Sequence, residues 1–315
     1  MSPKTREEAA DPKRFAVMGT IGYDVITHEG GGRYEGVGGI LYQAAGLCAL
    51  DFEVALFANL GEEYEPEVRA VTEHWPGCRT DGLRAVPGPG NRVFLHYPAR
   101  GERVEVLKSH VPPLEPGRIT DALPGSRMLV AVVNSGFDIG LADWRRVVSA
   151  APCPIWFDIH SLVLTQVVGG TRRYRPLPEW RRWTEGVTYL QANVQEIASM
   201  LGDPGKLPDR DELLGFGRAA VELGVRAVFL TMGKEGAMVL TGAGDGRRVG
   251  CRETGRVVDT TGCGDIFCAG TAAMLALGSA PEEAAAFGVE LASEAVGAAG
   301  VVATYELIKN RLLRA

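Results

Sequence analysis

The 315-residue sequence predicts an α/β protein built on a mostly parallel sheet. Three observations carry that expectation. Short apolar, β-branched runs alternate with helical segments, which is the mark of βαβ units. Several of the runs are continuously apolar, as strands covered on both faces must be. One stretch alone, residues 86–111, breaks the rhythm with two alternating segments.

Taken in order, "FAVMGTI" reads as a strand, "GILYQAAGLCAL" as a helix, "EVALFANLG" as a strand and "PEVRAVTEHW" as a helix. "RVFLHYPARGERVEVL" then offers two alternating strands around a turn at "ARGE", an antiparallel insertion outside the main sheet. Alternation resumes with "RMLVAVVN", "LADWRRVVSAA", "PIWFDIH", a helical region near "PEWRRW", "VTYLQAN", "VQEIASML" and the helix "RDELLGFGRAAVELG". "RAVFLTMG" is a buried-type strand, followed by a hairpin of "GAMVLTG" and "RRVGCRE" turning at "GAGDG". Small-residue helices around "PEEAAAFGVELASEAV" close the chain. No self-similarity at 20–50 residues indicates a repeat architecture. The length allows two domains, but α/β folds of this size often form one body, so residues 14–315 are expected to be a single domain and residues 1–13 a loose tail.

A net charge of -6 argues against a broad nucleic-acid surface, which needs clustered excess Lys and Arg, and favours a small-molecule partner. The six cysteines form no C-x-x-C pair and fall mostly in apolar stretches, so reduced thiols are expected rather than zinc or disulfides. "MSPKTREEAADPKRF" is too polar for a signal peptide, and no window approaches 18 continuous apolar residues. A cytoplasmic protein with no membrane association is the resulting expectation.

The segment "VVDTTGCGDIFCAGTAAMLALG" joins a β-branched run to an apolar helix through two glycines that bracket a cysteine. Neither G-x-x-x-x-G-K-[ST] nor G-x-G-x-x-G occurs: Glu235 follows Lys234 in "MGKEG", and Phe267 stands where a third glycine would be. The backbone N–H groups of Gly262, Cys263 and Gly264 nevertheless precede a helix whose positive end favours anionic oxygen. Asp265 stands where loop becomes helix, able to take a proton from an alcohol that attacks phosphorus. An Asp at this place ordinarily caps the helix; the longer string points elsewhere.

"DTTGCGDIFCAG" resembles the C-terminal signature D-T-x-G-A-G-D-x-F-x-x-G of the PfkB, or ribokinase-like, family of carbohydrate and nucleoside kinases, with Cys263 in place of the usual alanine. The likeness runs from about Phe15 to Leu307. It implies a three-layer α/β/α ribokinase-like fold with a small β lid from about residues 22–37 and 86–112. It implies Asp265 as catalytic base, Gly262, Cys263 and Gly264 as anion hole, and Asp259 and Thr261 as ligands of a monovalent cation such as K⁺.

Other segments extend the resemblance. "GTIGYDVI" resembles the opening G-x-x-x-x-D, giving Asp24 for acceptor hydroxyls. "GVGGILYQAAGLCAL" resembles G-G-x-x-x-N-x-A, giving Gly38, Gly39 and, where Asn is usual, Gln43. "QANVQEIASMLG" resembles N-x-x-E, giving Asn193 and Glu196 near magnesium and phosphate, directly or through water. "VFLTMGKEGAMVL" resembles the T-x-G-x-x-G turn beside the nucleotide, giving Thr231, Gly233 and Gly236. The late helix has Val289 and no Asn in the matching area.

The implied activity is transfer of the ATP γ-phosphoryl group, with Mg²⁺, to a hydroxyl of a sugar, polyol or nucleoside, in a protein that forms a homodimer through its lid. A non-catalytic sensor using the same pocket is the alternative, and a nicotinamide-dependent oxidoreductase is weakened by the missing G-x-G-x-x-G. Asp158 and His160 in "WFDIHSL" are read as strand-end packing, Lys234 as a surface residue, and the five arginines of "TRRYRPLPEWRRW" as a solvated helix face.

Overall fold

Alternate residues of the first strand enter different cores: Phe15 and Val17 pack in one, Ala16 and Met18 in the other. That period of two, on a strand with helices to either side, fixes a three-layer arrangement. The structure is a computed structural model, and it describes residues 13–99, 103–244, 246–251 and 257–313. The expected tail at 1–13 therefore falls, except for Lys13, outside the described residues, as do most of the "ARGE" turn and one residue of "GAGDG".

In chain order the strands are β1 (Arg14–Met18), β2 (Gly22–His28), β3 (Arg33–Val37), β4 (Glu53–Gly61), β5 (Cys78–Arg79), β6 (Leu83–Val86), β7 (Asn91–Tyr97), β8 (Val104–Ser109), β9 (Met128–Val132), β10 (Ile155–Asp158), β11 (Tyr189–Asn193), β12 (Ala227–Thr231), β13 (Ala237–Thr241) and β14 (Arg247–Val249). The helices are α1 (Leu41–Ala49), α2 (Glu65–Thr72), α3 (Pro116–Thr120), α4 (Leu141–Ala150), α5 (Trp180–Thr184), α6 (Val194–Leu201), α7 (Arg210–Glu222), α8 (Cys263–Ala276), α9 (Pro281–Ala295) and α10 (Gly300–Leu312).

The main sheet runs β14-β13-β12-β11-β10-β9-β1-β4-β5, with β6 also on β4. Its pairings are parallel from β5 and β6 through to β12 and antiparallel at β12–β13 and β13–β14. One face packs against α1, α8, α9 and α10, the other against α4 to α7.

The second sheet has the order β3-β2-β7-β8, with β2 and β7 parallel and both outer pairs antiparallel. It is the insertion that the sequence predicts over 22–37 and 86–112, although Val86 itself ends β6 in the main sheet. The free edge of β8 is covered by the loop after β10: the Gly169 amide donates to Leu107 O at 2.7 Å, and the Arg172 amide to Glu105 O at 2.9 Å. Val106 and Thr171 form an isolated antiparallel bridge there. Lid and body are thus joined beside the ends of β10 and β11.

Candidate active site

A parallel sheet leaves its ligand crevice beyond the carboxyl ends of its strands. Here a cavity of about 930 Å³ opens at that place, lined by Asp158 at the end of β10, Gln191 and Asn193 of β11 and Thr231 of β12. Helix α8 enters the same space. Gly262 occupies its N-cap in the left-handed region at φ 80°, and a Cβ there would lie 2.3 Å from the Tyr42 ring, so only glycine fits.

Asp265 lies in the first turn of α8 and is not its cap. Its carboxyl lines the cavity and accepts a hydrogen bond from Gln43 Nε2. Burial pushes it up to about 7, against the opposing effects of that hydrogen bond and of the Arg103 charge. A carboxyl near neutrality is suited to exchange a proton with an alcohol.

The three loop amides are not equivalent. Cys263 N donates to Thr260 O at 3.3 Å, whereas those of Gly262 and Gly264 have no acceptor among the described residues. The expectation of three free donors is corrected to two, because the residue that opens the helix also closes a turn. Gln191 Nε2 holds the loop from behind by donating to Gly264 O at 3.0 Å.

Asn193 and Glu196 form a reciprocal capping box at the start of α6. Glu196 accepts from the Asn193 amide and from Nδ2, both at 2.8 Å. Its carboxyl is buried, lines the cavity, and is raised by burial to about 7. Asp158 beside it is raised well above the usual carboxylate range, first by burial and then by Glu196. Asp259 Oδ1 accepts from the amide and hydroxyl of Thr261 at 3.0 and 2.9 Å, while its buried Oδ2 has no hydrogen-bond partner among the described residues.

Two further groups line the cavity. Gly233, exposed Lys234 and Gly236 form the turn after β12, facing apolar Val257, Val289, Ala292 and Val296. Tyr97, Arg103 and Glu105 come from the lid, opposite His160, Arg172 and Tyr174 of the loop that docks on β8.

This lining corrects several sequence expectations. Asp24, Gly38, Gly39 and Gln43 are not among its residues. Asp24 is a buried residue inside β2, raised to about 7 mainly by burial, with its Oδ2 only 2.0 Å from where a Gly38 Cβ would sit. Gly39 follows at φ 67° and leads into α1. The extra methylene of Gln43 carries its amide to Asp265 instead of into the pocket.

Asp158 and His160 are in the cavity and not mere strand-end packing. His160 has φ 34°, and burial together with the Arg103 charge holds its imidazole down at about 4, so it is neutral. Arg172 is buried and not solvated: it pairs with Glu105 at 3.0 Å. The only sequence signal for these residues was their position after a β-strand or beside a turn.

The fold is ribokinase-like. The structure matches ribokinase from Thermotoga maritima (19% identity, 95% of this chain and 99% of that chain, TM-score 0.72) and adenosine kinase from Sinorhizobium meliloti (19%, 97% and 100%, TM-score 0.74). It also matches Arabidopsis thaliana ribokinase complexed with ribose and ATP (19%, 94% and 99%, TM-score 0.70). No curated protein sequence matches the chain. Residues 171–307, a stretch that includes α6 and the Gly262 loop, match the pfkB family carbohydrate kinase. Among the described residues no single helix is long and apolar enough to cross a membrane.

Proposed function

We propose that this protein is an ATP-dependent kinase that phosphorylates a hydroxyl of a sugar, polyol or nucleoside. The observation that carries the reading is the Asp265 carboxyl, raised toward neutrality and open to the same cavity as Glu196 and the free amides of Gly262 and Gly264. Asp265 takes the proton of the acceptor hydroxyl as the hydroxyl oxygen bonds to the γ-phosphorus and the bond from that phosphorus to the departing ADP oxygen breaks, and the two amides face the charge on the phosphoryl oxygens. Asn193, Thr231, Gly233 and Gly236 line the donor side, where Val257, Val289, Ala292 and Val296 offer an apolar wall to a nucleoside.

Magnesium fits Glu196 and Asp158, oxygen donors that favour a hydrated ion, and when bound it would neutralise donor phosphate charge. The unpartnered buried Oδ2 of Asp259 fits a monovalent cation such as K⁺. A homodimer through the lid belongs to the same reading. Since β8 is already covered, the contact would use the β3 edge or the sheet face, and sedimentation of wild type against lid variants tests it.

The direct test is ADP release with Mg-ATP across a panel of sugars, polyols and nucleosides, with and without K⁺. Turnover that Asp265→Asn reduces by ~10² to 10⁴-fold, with nucleotide binding retained, supports the assignment. Tight acceptor binding without turnover would favour the sensor.

A further inference from the structure

Glu105 is a buried carboxylate with two arginines. Its Oε1 takes Arg172 Nη1 at 3.0 Å and its Oε2 takes Arg103 Nη2, also at 3.0 Å. Arg172 is wholly buried, and its remaining nitrogens are engaged: Nε donates to Thr165 O at 3.2 Å and Nη2 to Ser161 O at 3.3 Å. Arg103 differs. Its side chain is 34% exposed and lines the cavity together with Asp265 and Glu196.

One carboxylate therefore serves two guanidiniums, and the group carries one positive charge in excess. Arg172 has its acceptors within the docked loop, so the uncompensated charge belongs to Arg103. A guanidinium fixed on one side by a carboxylate keeps its other N–H groups aimed in a set direction, which suits recognition of an oxyanion. His160, on the same side of the cavity, is neutral, while Arg173 and Lys234 line the cavity as further cations. The carboxyls that face Arg103, namely Asp24, Asp265 and Glu196, are each raised by burial.

We propose that Arg103, held by Glu105 and Arg172, is an oxyanion site that the lid brings over the reaction centre. The inference rests on the kinase reading given above and deepens it. The oxyanion has two sources. It is the phosphoryl group in transit between donor and Asp265, or an acidic substituent of the acceptor itself.

The test compares wild type with Arg103→Gln and Arg103→Lys. Binding of Mg-ADP and of unreactive Mg-AMP-PNP is measured by calorimetry. Turnover is measured with neutral acceptors (ribose, myo-inositol, adenosine) and acidic ones (gluconate, fructose 6-phosphate). If the oxyanion is the phosphoryl group, Arg103→Gln binds Mg-AMP-PNP at least about tenfold more weakly with Mg-ADP unchanged, and kcat falls ~10² to 10³-fold for every acceptor. Added guanidinium then restores part of the rate. If it belongs to the acceptor, kcat/KM falls by about 10²-fold for acidic acceptors only, and gluconate or fructose 6-phosphate loses its thermal stabilisation of the protein. Arg103→Lys retains charge without the fork and falls between wild type and Arg103→Gln in either case.

Nucleotide and acceptor binding within threefold of wild type in Arg103→Gln, with unaltered kinetics for all acceptors, overturns the proposal. Absence of turnover by wild type with every acceptor would count against the kinase reading alone, because the two binding comparisons do not depend on catalysis.

Discussion

Replacing Gln43 with leucine should move the acid limb of the pH–rate profile upward. In the proposed reaction Asp265 is the proton acceptor and must be ionised to work, and burial already raises it to about 7. Gln43 acts in the other direction, because its Nε2 donates to Oδ1 and so favours the anion. A hydrogen bond to a charged group contributes about 1.5–3 kcal/mol, and 1.36 kcal/mol corresponds to about one pH unit. Loss of the amide should therefore raise the limb by ~1–2 units in kcat/KM for the acceptor at saturating Mg-ATP. At pH 7 the variant is roughly 5- to 50-fold slower, and it recovers toward wild type above pH 9.

Leucine is a suitable replacement because Gln43 is fully buried and its Oε1 has no hydrogen-bond partner among the described residues. The variant loses an unsatisfied acceptor along with the donor. Gln43→Asn, which restores the residue usual at this motif position, is one methylene too short and should behave like leucine. Gln43→Glu adds a second carboxyl against Asp265 and should shift the limb further. A folded Gln43→Leu protein whose limb stays within about 0.3 units of wild type refutes the positioning role. A purely packing role would lower stability or kcat without displacing the limb.

Three other outcomes follow from the geometry. Asp24, Asp265 and Glu196 have folded-state values raised to about 7, so between about pH 4 and 7 the folded chain holds protons that the unfolded chain has released. Stability is then greatest near the lower end of that window and declines as pH rises through it. Melting curves should show Asp24→Asn gaining on wild type from pH 5 to pH 8, and a constant difference would contradict the cause assigned. Gly262→Ala forces a side chain into the left-handed region and into the Tyr42 ring, and should destabilise by about 2–4 kcal/mol in urea unfolding. Glu105→Leu strands the wholly buried Arg172 guanidinium without its carboxylate and should lower unfolding free energy by about 3–5 kcal/mol; a change below 1 kcal/mol would show that water reaches the pair.

Local pattern made most of the sheet legible. β1, β9, β10 and β12 are apolar on both sides because helices cover both faces, and that condition is written into each strand. β5, with two residues, and α3, with five, are too short to carry a period. The Gly262 loop and Asp265 were legible because one contiguous segment supplies them. What stayed hidden depends on distant pairs: Gln43 meets Asp265 across 222 positions, and Arg172 meets Glu105 across 67. "TRRYR" looked solvated because nothing in its own neighbourhood announces a buried carboxylate. That Asp24 lies inside a strand was not legible either, because β2 is held past it by β7, far along the chain.

These hidden contacts also show why the cleft favours being filled. Asp24, Asp158, Glu196 and Asp265 converge at or beside one cavity, and burial raises each of them. Their ionisation is opposed by low dielectric and by one another. Arg103 offsets part of that opposition, yet it is shared with Glu105. A ligand that brings metal charge and hydrogen-bond donors lowers the carboxyl values together, so binding should release protons and raise stability by linkage. Binding and ionisation of Asp265 are then coupled: on the proposed kinase reading, the base would become competent as the cavity fills.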